Sequence, residues 1–345
     1  MRKRISRRAF VAASAAALAA PALTRRARAA DEPLLIRCSL DTAPSHPRNV
    51  SIKDYLGKVT AASGGKIKTQ VFDSGQLFPD LQVAKALIQG QVEMAVPGSW
   101  TITGIIPDAD FFQLPMLYGR SVELIHRVTD GPPGAFIVKE VEQKIRAHVL
   151  GSWFDLGFQN WYTTSKPVNS LADLKGLKIR NSGGAGQAWR ARFVGAIPNT
   201  TAWPQVPLAL SQHLFDGFVS SDESVVSAQL WDSGVKYSLA DRQFVAQYLP
   251  MISLAFWQKL APAQQKMMSD LWAENIGTYR ANTAASQARA RGILESHGIK
   301  IVAPDEAQIA ADRKRMLPEQ DALAKQLHIS PELVKLIDTT LASAS

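Results

Sequence analysis

Leu177-Lys178-Ile179-Arg180, followed by Asn181-Ser182-Gly183-Gly184, is the stretch from which the architecture of this chain can be read. The first four residues read as a short strand. The next four are flexible backbone, and residues 184–195 continue as a helix. A strand, a tight turn and a helix form the repeating unit of an α/β fold. Working outward, the same alternation recurs on both sides. Upstream, strands are expected at 34–40, 66–72, 91–96 and 148–154. Helices are expected at 46–62, 79–89, 121–130 and 134–146. The first of these helices ends at Ser63-Gly64-Gly65. Downstream, a helix is expected at 203–213, a strand at 215–220 and a helix from Asp222 onward. Residues 247–257 form a long apolar run, read as one strand returning to the first half of the fold. A helix of about ten turns follows over 261–296, then a strand at 298–302 and two C-terminal helices.

Such alternation implies mixed sheets with helices on both faces. In open α/β sheets ligands bind beyond the carboxyl ends of the strands, and two such lobes face each other across a cleft that closes by a hinge. The expected organisation is a leader at 1–29, a first lobe at 30–156 plus 246–285, and a second lobe at 157–245 plus 286–345.

The first residues read as an export signal. Arg2, Lys3, Arg4, Arg7 and Arg8 precede an alanine-rich apolar run, and Ala27-Arg28-Ala29 is a small-x-small cleavage site. Ser6-Arg7-Arg8-Ala9-Phe10 fits the twin-arginine pattern, which directs the chain to the periplasm. The charge follows the same boundary. The whole chain carries 39 basic and 30 acidic residues, a net of +9. Eight of the basic residues and none of the acidic ones lie in 1–30, so the remainder is nearly neutral. That balance speaks against nucleic acid as a partner. A single cysteine, Cys38, sits in an apolar run and reads as a buried strand position, with no intrachain disulfide available.

The catalytic inventory is thin. The six histidines are scattered without metal-ligand spacing, and there is no GxSxG elbow, P-loop or GxGxxG after a strand. No cofactor or metal is expected. Instead, Arg180 stands at a strand's carboxyl end beside a helix N-terminus. A guanidinium fork there suits a carboxylate, and the helix amides and dipole add to it. A surface ion pair is the alternative, and spacing leaves both open. Of the eight tryptophans most should be core. Trp100 and Trp203 differ, because each follows a strand end or opens a helix.

With Ser170-Leu-Ala-Asp-Leu-Lys-Gly-Leu-Lys-Ile-Arg180 the sequence resembles the DctP-type substrate-binding proteins of tripartite ATP-independent periplasmic (TRAP) transporters. Residues 173–180 match that family's DLKGLKIR segment. Phe72-Asp-Ser-Gly-Gln-Leu77, Gly90-Gln-Val-Glu-Met-Ala95, Phe112-Gln-Leu-Pro115 and Leu214-Phe-Asp-Gly217 support it by order and spacing. The resemblance implies two α/β lobes, a hinge and a long helix crossing both. It implies that Arg180 binds the ligand carboxylate and that Trp203, thirteen residues before Asp216, packs on the ligand. Ser220 and Asp222 are implied as polar contacts after the Asp-Gly strand, with Gln159 and Phe78 completing the candidate set. Two departures stand out. Asn160 occupies a position where many relatives have a second arginine, and Val219-Ser220 replaces a Glu-Asn pair. A less cationic far end favours a monocarboxylate whose other end is neutral.

The expected function is therefore that of a monomeric periplasmic binding protein, not an enzyme, which passes a small organic anion to the small and large TRAP membrane subunits. An ABC-type binding protein and a ligand sensor are alternatives in the same class. A lyase or isomerase would need an acid/base pair in the cleft, and Glu93 and Asp222 are the candidates.

Overall fold

The computed structural model describes residues 32–343. The leader and the Ser6–Phe10 motif lie outside the described residues. Among those described, no helix is long and apolar enough to cross a membrane.

The first lobe is built on a five-stranded mixed sheet of order β2-β1-β3-β12-β4. Its strands are β1 (Leu34–Ser39), β2 (Ile67–Phe72), β3 (Met94–Ala95), β4 (Ala147–Val149) and β12 (Met251–Ser253). β1 runs parallel to β2 and β3, and β12 runs antiparallel to β3 and β4. Helix α1 (Pro47–Ala62) starts where Pro47 costs no hydrogen bond and His46 caps it, its Nδ1 accepting the Arg48 amide. Helix α2 (Asp80–Ile88) follows β2, and α3 (Val122–Thr129) and α4 (Pro132–Glu140) precede β4.

The second lobe carries a six-stranded sheet of order β13-β10-β6-β9-β7-β8. It comprises β6 (Asn160–Thr163), β7 (Lys178–Asn181), β8 (Ile197–Thr200), β9 (Gly217–Ser220), β10 (Tyr237–Leu239) and β13 (Lys300–Val302). Helices α5 (Ala185–Phe193), α6 (Val206–Ser211) and α7 (Asp222–Ser227) connect its strands. A turn over Leu171–Leu174 leads into β7. It is fixed by Asp173, which accepts the amides of Asn169 and Ser170 at 3.0 Å each.

The chain crosses between the sheets at β5 (Phe154–Phe158) and returns at β11 (Val245–Tyr248). These two crossings pair antiparallel, with a bulge between Ala246 and Gln247. The 247–257 run is thus not one strand. Leu249-Pro250 divides it into β11 and β12, and the short helix α8 (Leu254–Trp257) takes its end, because proline cannot donate to a ladder. Likewise the 148–154 run splits into β4 and β5, which belong to different sheets.

Helix α9 (Pro262–Ser296) spans both lobes. Its buried side chains, from Met268 through Trp272, Ile276, Tyr279 and Thr283 to Ala290 and Leu294, recur at helical spacing on one face. Against the first lobe, the Tyr55 hydroxyl donates to Met268 O at 3.0 Å, and Trp272 meets Tyr55 edge-on. Against the hinge, Arg280 donates to Trp153 O and Gln287 to Leu156 O. Against the second lobe, Gln287 Oε1 accepts the Glu223 amide at 3.0 Å. Helices α10 (Glu306–Met316), α11 (Gln320–Gln326) and α12 (Pro331–Ala342) end the chain. Residues 286–345 were expected with the second lobe, but α12 packs against α3 and α4, and the Ser330 amide donates to Asp108. The apolar stripe of α12 has its partner on the first lobe.

Candidate functional site

Arg180 is completely buried near the end of β7, between Asn199 of β8 and Phe218 of β9. Its Nε donates to Thr201 O at 2.8 Å and its Nη1 to Ser182 Oγ at 3.0 Å. Its Nη2 has no partner. The guanidinium lies 5.5 Å from the Trp203 ring centre, within cation–π range. Burial lowers its pKa to about 10 against the opposing fields of Asp80 and Asp41, so it stays charged at neutral pH. A buried charge with an unpaired donor is costly, and a carboxylate would satisfy both charge and donor.

Around that donor lies a narrow interlobe cavity of about 20 Å³. Asp41, Thr42, Asp80 and Trp100 line it from the first lobe. Gln159, Arg180, Ser182, Trp203, Ser220 and Ser224 line it from the second, and Leu156 and Tyr248 from the hinge strands. Asp80 accepts the Trp203 amide across the cleft. Burial, helped by Asp41, raises the Asp80 pKa to about 7, while Arg180 works in the opposite direction. Beside them Arg48, also completely buried, donates to Asp41 at 2.6 Å, Thr42 at 2.8 Å and Val96 O at 3.2 Å, with its guanidinium 4.1 Å from the Tyr248 ring centre. Arg48 is therefore committed to the wall, and of these two guanidinium groups it is Arg180 that has a donor to spare.

The family model for bacterial extracellular solute-binding protein, family 7 (DctP), matches residues 39–326. The chain belongs to that family. It is 24% identical over 320 residues to the C4-dicarboxylate-binding periplasmic protein DctP of Rhodobacter capsulatus, covering 90% of each chain. The uncharacterized protein y4mM of Sinorhizobium fredii is 23% identical over 356 residues, 99% of this chain; the chain spans 65% of that relative's length. Among solved structures, the sugar acid binding protein DctPAm of Advenella mimigardefordensis, in complex with galactonate, superposes with a TM-score of 0.85 at 21% identity, covering 91% of this chain and 99% of the other. At that identity the likeness concerns the fold.

Within this family-7 fold, five of the eight sequence-derived candidates meet at the cavity: Arg180, Trp203, Trp100, Gln159 and Ser220. Three do not line it. Asn160 donates to Asp222 Oδ1 at 2.9 Å and accepts the Arg242 amide at 3.2 Å. Asp222 also receives the Tyr162 hydroxyl. Both Asn160 and Asp222 line a separate recess beside Arg242 and Gln287. Phe78 packs on the first-lobe core, and its carbonyl accepts from Ser39. The helix N-terminus after Arg180 is also taken: Asp110 of the first lobe accepts the Gly186 amide at 2.8 Å, so these amides cap a protein carboxylate. The acid/base candidates are likewise engaged elsewhere. Glu93 forms a two-pronged ion pair with Arg37, at 2.9 and 2.8 Å.

Sequence reasoning missed Asp41, Thr42, Asp80 and Tyr248. Asp41 and Thr42 come just after β1, and the strand-end rule that singled out Arg180 would have found them. Asp80 is the first residue of α2 and reads as an ordinary N-terminal acid; only the lobe facing it gives it a second role.

Proposed function

We propose that this protein captures a small organic acid in the periplasm, closes its two lobes around it, and delivers it to the membrane subunits of a TRAP transporter. The observation that carries this reading is the Arg180 guanidinium, fully buried at the lobe interface with Nη2 unpaired. Family membership supports a role in solute binding. The relatives supply the ligand class: one is named for C4-dicarboxylates and one holds galactonate. A monocarboxylate is favoured here. Arg48 is committed to Asp41, Asn160 is bound to Asp222, and the cavity carries two acidic side chains that would repel a second ligand carboxylate. Those acids, with the hydroxyls of Thr42, Ser182, Ser220 and Ser224, suit ligand hydroxyl groups. Binding without turnover fits the engagement of Glu93 and Asp222 outside the cavity.

Calorimetry against a panel of organic acids that includes galactonate and succinate tests the reading, with NMR of the best binder after prolonged incubation. One equivalent bound and recovered unchanged is expected. Repeated turnover, or no acid bound, overturns it.

A further inference from the structure

Two fully buried side-chain polar atoms among the cavity-lining residues lack a hydrogen-bond partner: Arg180 Nη2 and Trp100 Nε1. Both are pure donors and can be satisfied only by an acceptor. We propose that the Trp100 indole N–H is the second donor to the ligand carboxylate, so that the anion is held from both lobes at once. This rests on the carboxylate-anchor reading of Arg180 and assigns Trp100 a hydrogen-bonding role, distinct from that of a stacking surface.

The ring is held in place on three sides. It lies over Gly98, where a Cβ would fall 2.3 Å from its Cζ2. Tyr248 packs against it at a tilt, with ring centres 5.4 Å apart. Its Cδ1, bonded to Nε1, lies 3.6 Å from where a Cβ on Gly183 would stand. Gly183 directly follows Ser182, the partner of Arg180 Nη1. The N–H edge of Trp100 thus borders the loop that fixes the arginine fork. Two other buried tryptophans are satisfied: Trp161 Nε1 donates to Asp241 at 2.9 Å and Trp272 Nε1 to Ser152 O at 2.9 Å. An indole N–H left unpaired in a buried site costs stability, and it is left so in a residue that lines the same cavity as the spare Arg180 donor. Because Trp100 belongs to the first lobe and Arg180 to the second, the two donors come together only on closure. A carboxylate that binds both has a higher affinity for the closed form, which is the condition for a ligand to drive the change.

The test uses formate as a minimal carboxylate, with chloride at matched ionic strength as control, and protein carrying ¹⁵N-labelled tryptophan. The Trp100 indole cross-peak, assigned with Trp100→Phe, should move saturably with formate while those of Trp161 and Trp272 stay in place. Trp100→Phe, which keeps a ring and removes the donor, should weaken formate about tenfold, the scale of one charge-assisted hydrogen bond, with little change in melting temperature. A static Trp100 peak, or unchanged affinity in Trp100→Phe while Arg180→Ala abolishes binding, overturns the role of Trp100 and leaves the anchor standing. No saturable response to formate in the unmodified protein overturns both.

Discussion

The Asp80 carboxylate accepts the backbone N–H of Trp203 at 3.2 Å from each oxygen, tying the first turn of α2 in one lobe to the aromatic ring that flanks Arg180 in the other. This contact forms only when the lobes meet. It also places a carboxylate near Arg180, the proposed anchor for a ligand carboxylate, which sets up a dependence on pH.

Burial, with the field of Asp41, raises the Asp80 pKa to about 7, and Arg180 opposes the rise. The charged groups that act on it are Asp41 and Arg180, with Tyr248 nearby. For an acid whose pKa is raised, the penalty of the ionised form is present above the raised value and is relieved as pH falls through it. A ligand anion raises that pKa further, so binding takes up a proton. Carboxylate affinity should therefore rise severalfold between about pH 8 and about pH 6. Asp80→Asn should flatten that profile and bind at the higher pH as the unmodified protein does at the lower. Calorimetry in two buffers of different ionisation enthalpy measures the proton uptake; none in the unmodified protein would remove Asp80 from this role.

Asp110 supplies a second closing contact. It accepts the Gly186 amide, and burial raises its pKa to about 6. Gly184 makes room for it: φ is +78°, and a Cβ there would stand 2.8 Å from Asp110 Oδ1. Gly184→Ala adds backbone strain of about 1–3 kcal/mol as well as that clash. Ligand affinity should fall by roughly one to two decades. Small-angle scattering at saturating ligand should show less compaction than in the unmodified protein. Equal affinity and equal compaction would mean that this contact does not contribute to closure.

Asn160 supplies no second cation to the cavity. It is held by Asp222 and the Arg242 amide, outside the cavity. A monocarboxylate should bind at least about tenfold more tightly than the dicarboxylate of the same chain length, since a second buried charge would lack a partner. Calorimetry on one such pair decides it. Preference for the dicarboxylate would mean that Arg48 exchanges Asp41 for the ligand.

The order of strands and helices, the long helix and the Arg180 strand end are legible in the sequence because each rests on local pattern. Periodicity marks α9, and the strand-glycine-helix unit marks β7 and α5. What was misread depends on pairing at a distance. Residues 247–257 look like one apolar strand, yet Pro250 divides them between two sheets. Asn160 is polar and adjacent to Gln159, but its bonds to Asp222 and the Arg242 amide hold it outside the cavity. Asp80 and Asp110 resemble surface acids at turn and helix starts until the opposite lobe supplies the amides they accept. Local sequence therefore located Arg180 and Trp100 and missed Asp41, Thr42 and Asp80, which face Arg180 from the other lobe.

Arg180 carries the sharpest expectation. Its three donor groups are Nε on Thr201 O, Nη1 on Ser182 and Nη2 unpaired. No carboxylate oxygen lies within ion-pair distance of it among the described residues. A structural ion pair is thus not what holds it. With no direct ion pair to lose, removing Arg180 is expected to do little harm to the unliganded fold, whereas closing on an anion without it leaves that anion unpaired. Arg180→Ala should lose about 3–5 kcal/mol of binding, or roughly two to four decades in Kd, with only a small change in the melting temperature of the free protein. Arg180→Lys keeps the charge but cannot hold Thr201 O and Ser182 while offering a third donor in one plane, so it should recover only part of the loss. Calorimetric Kd values with melting curves of the unliganded variants separate the outcomes. Unchanged affinity in Arg180→Ala would discard the anchor. Collapse of the free fold in Arg180→Ala with full rescue by lysine would make Arg180 a structural residue of β7.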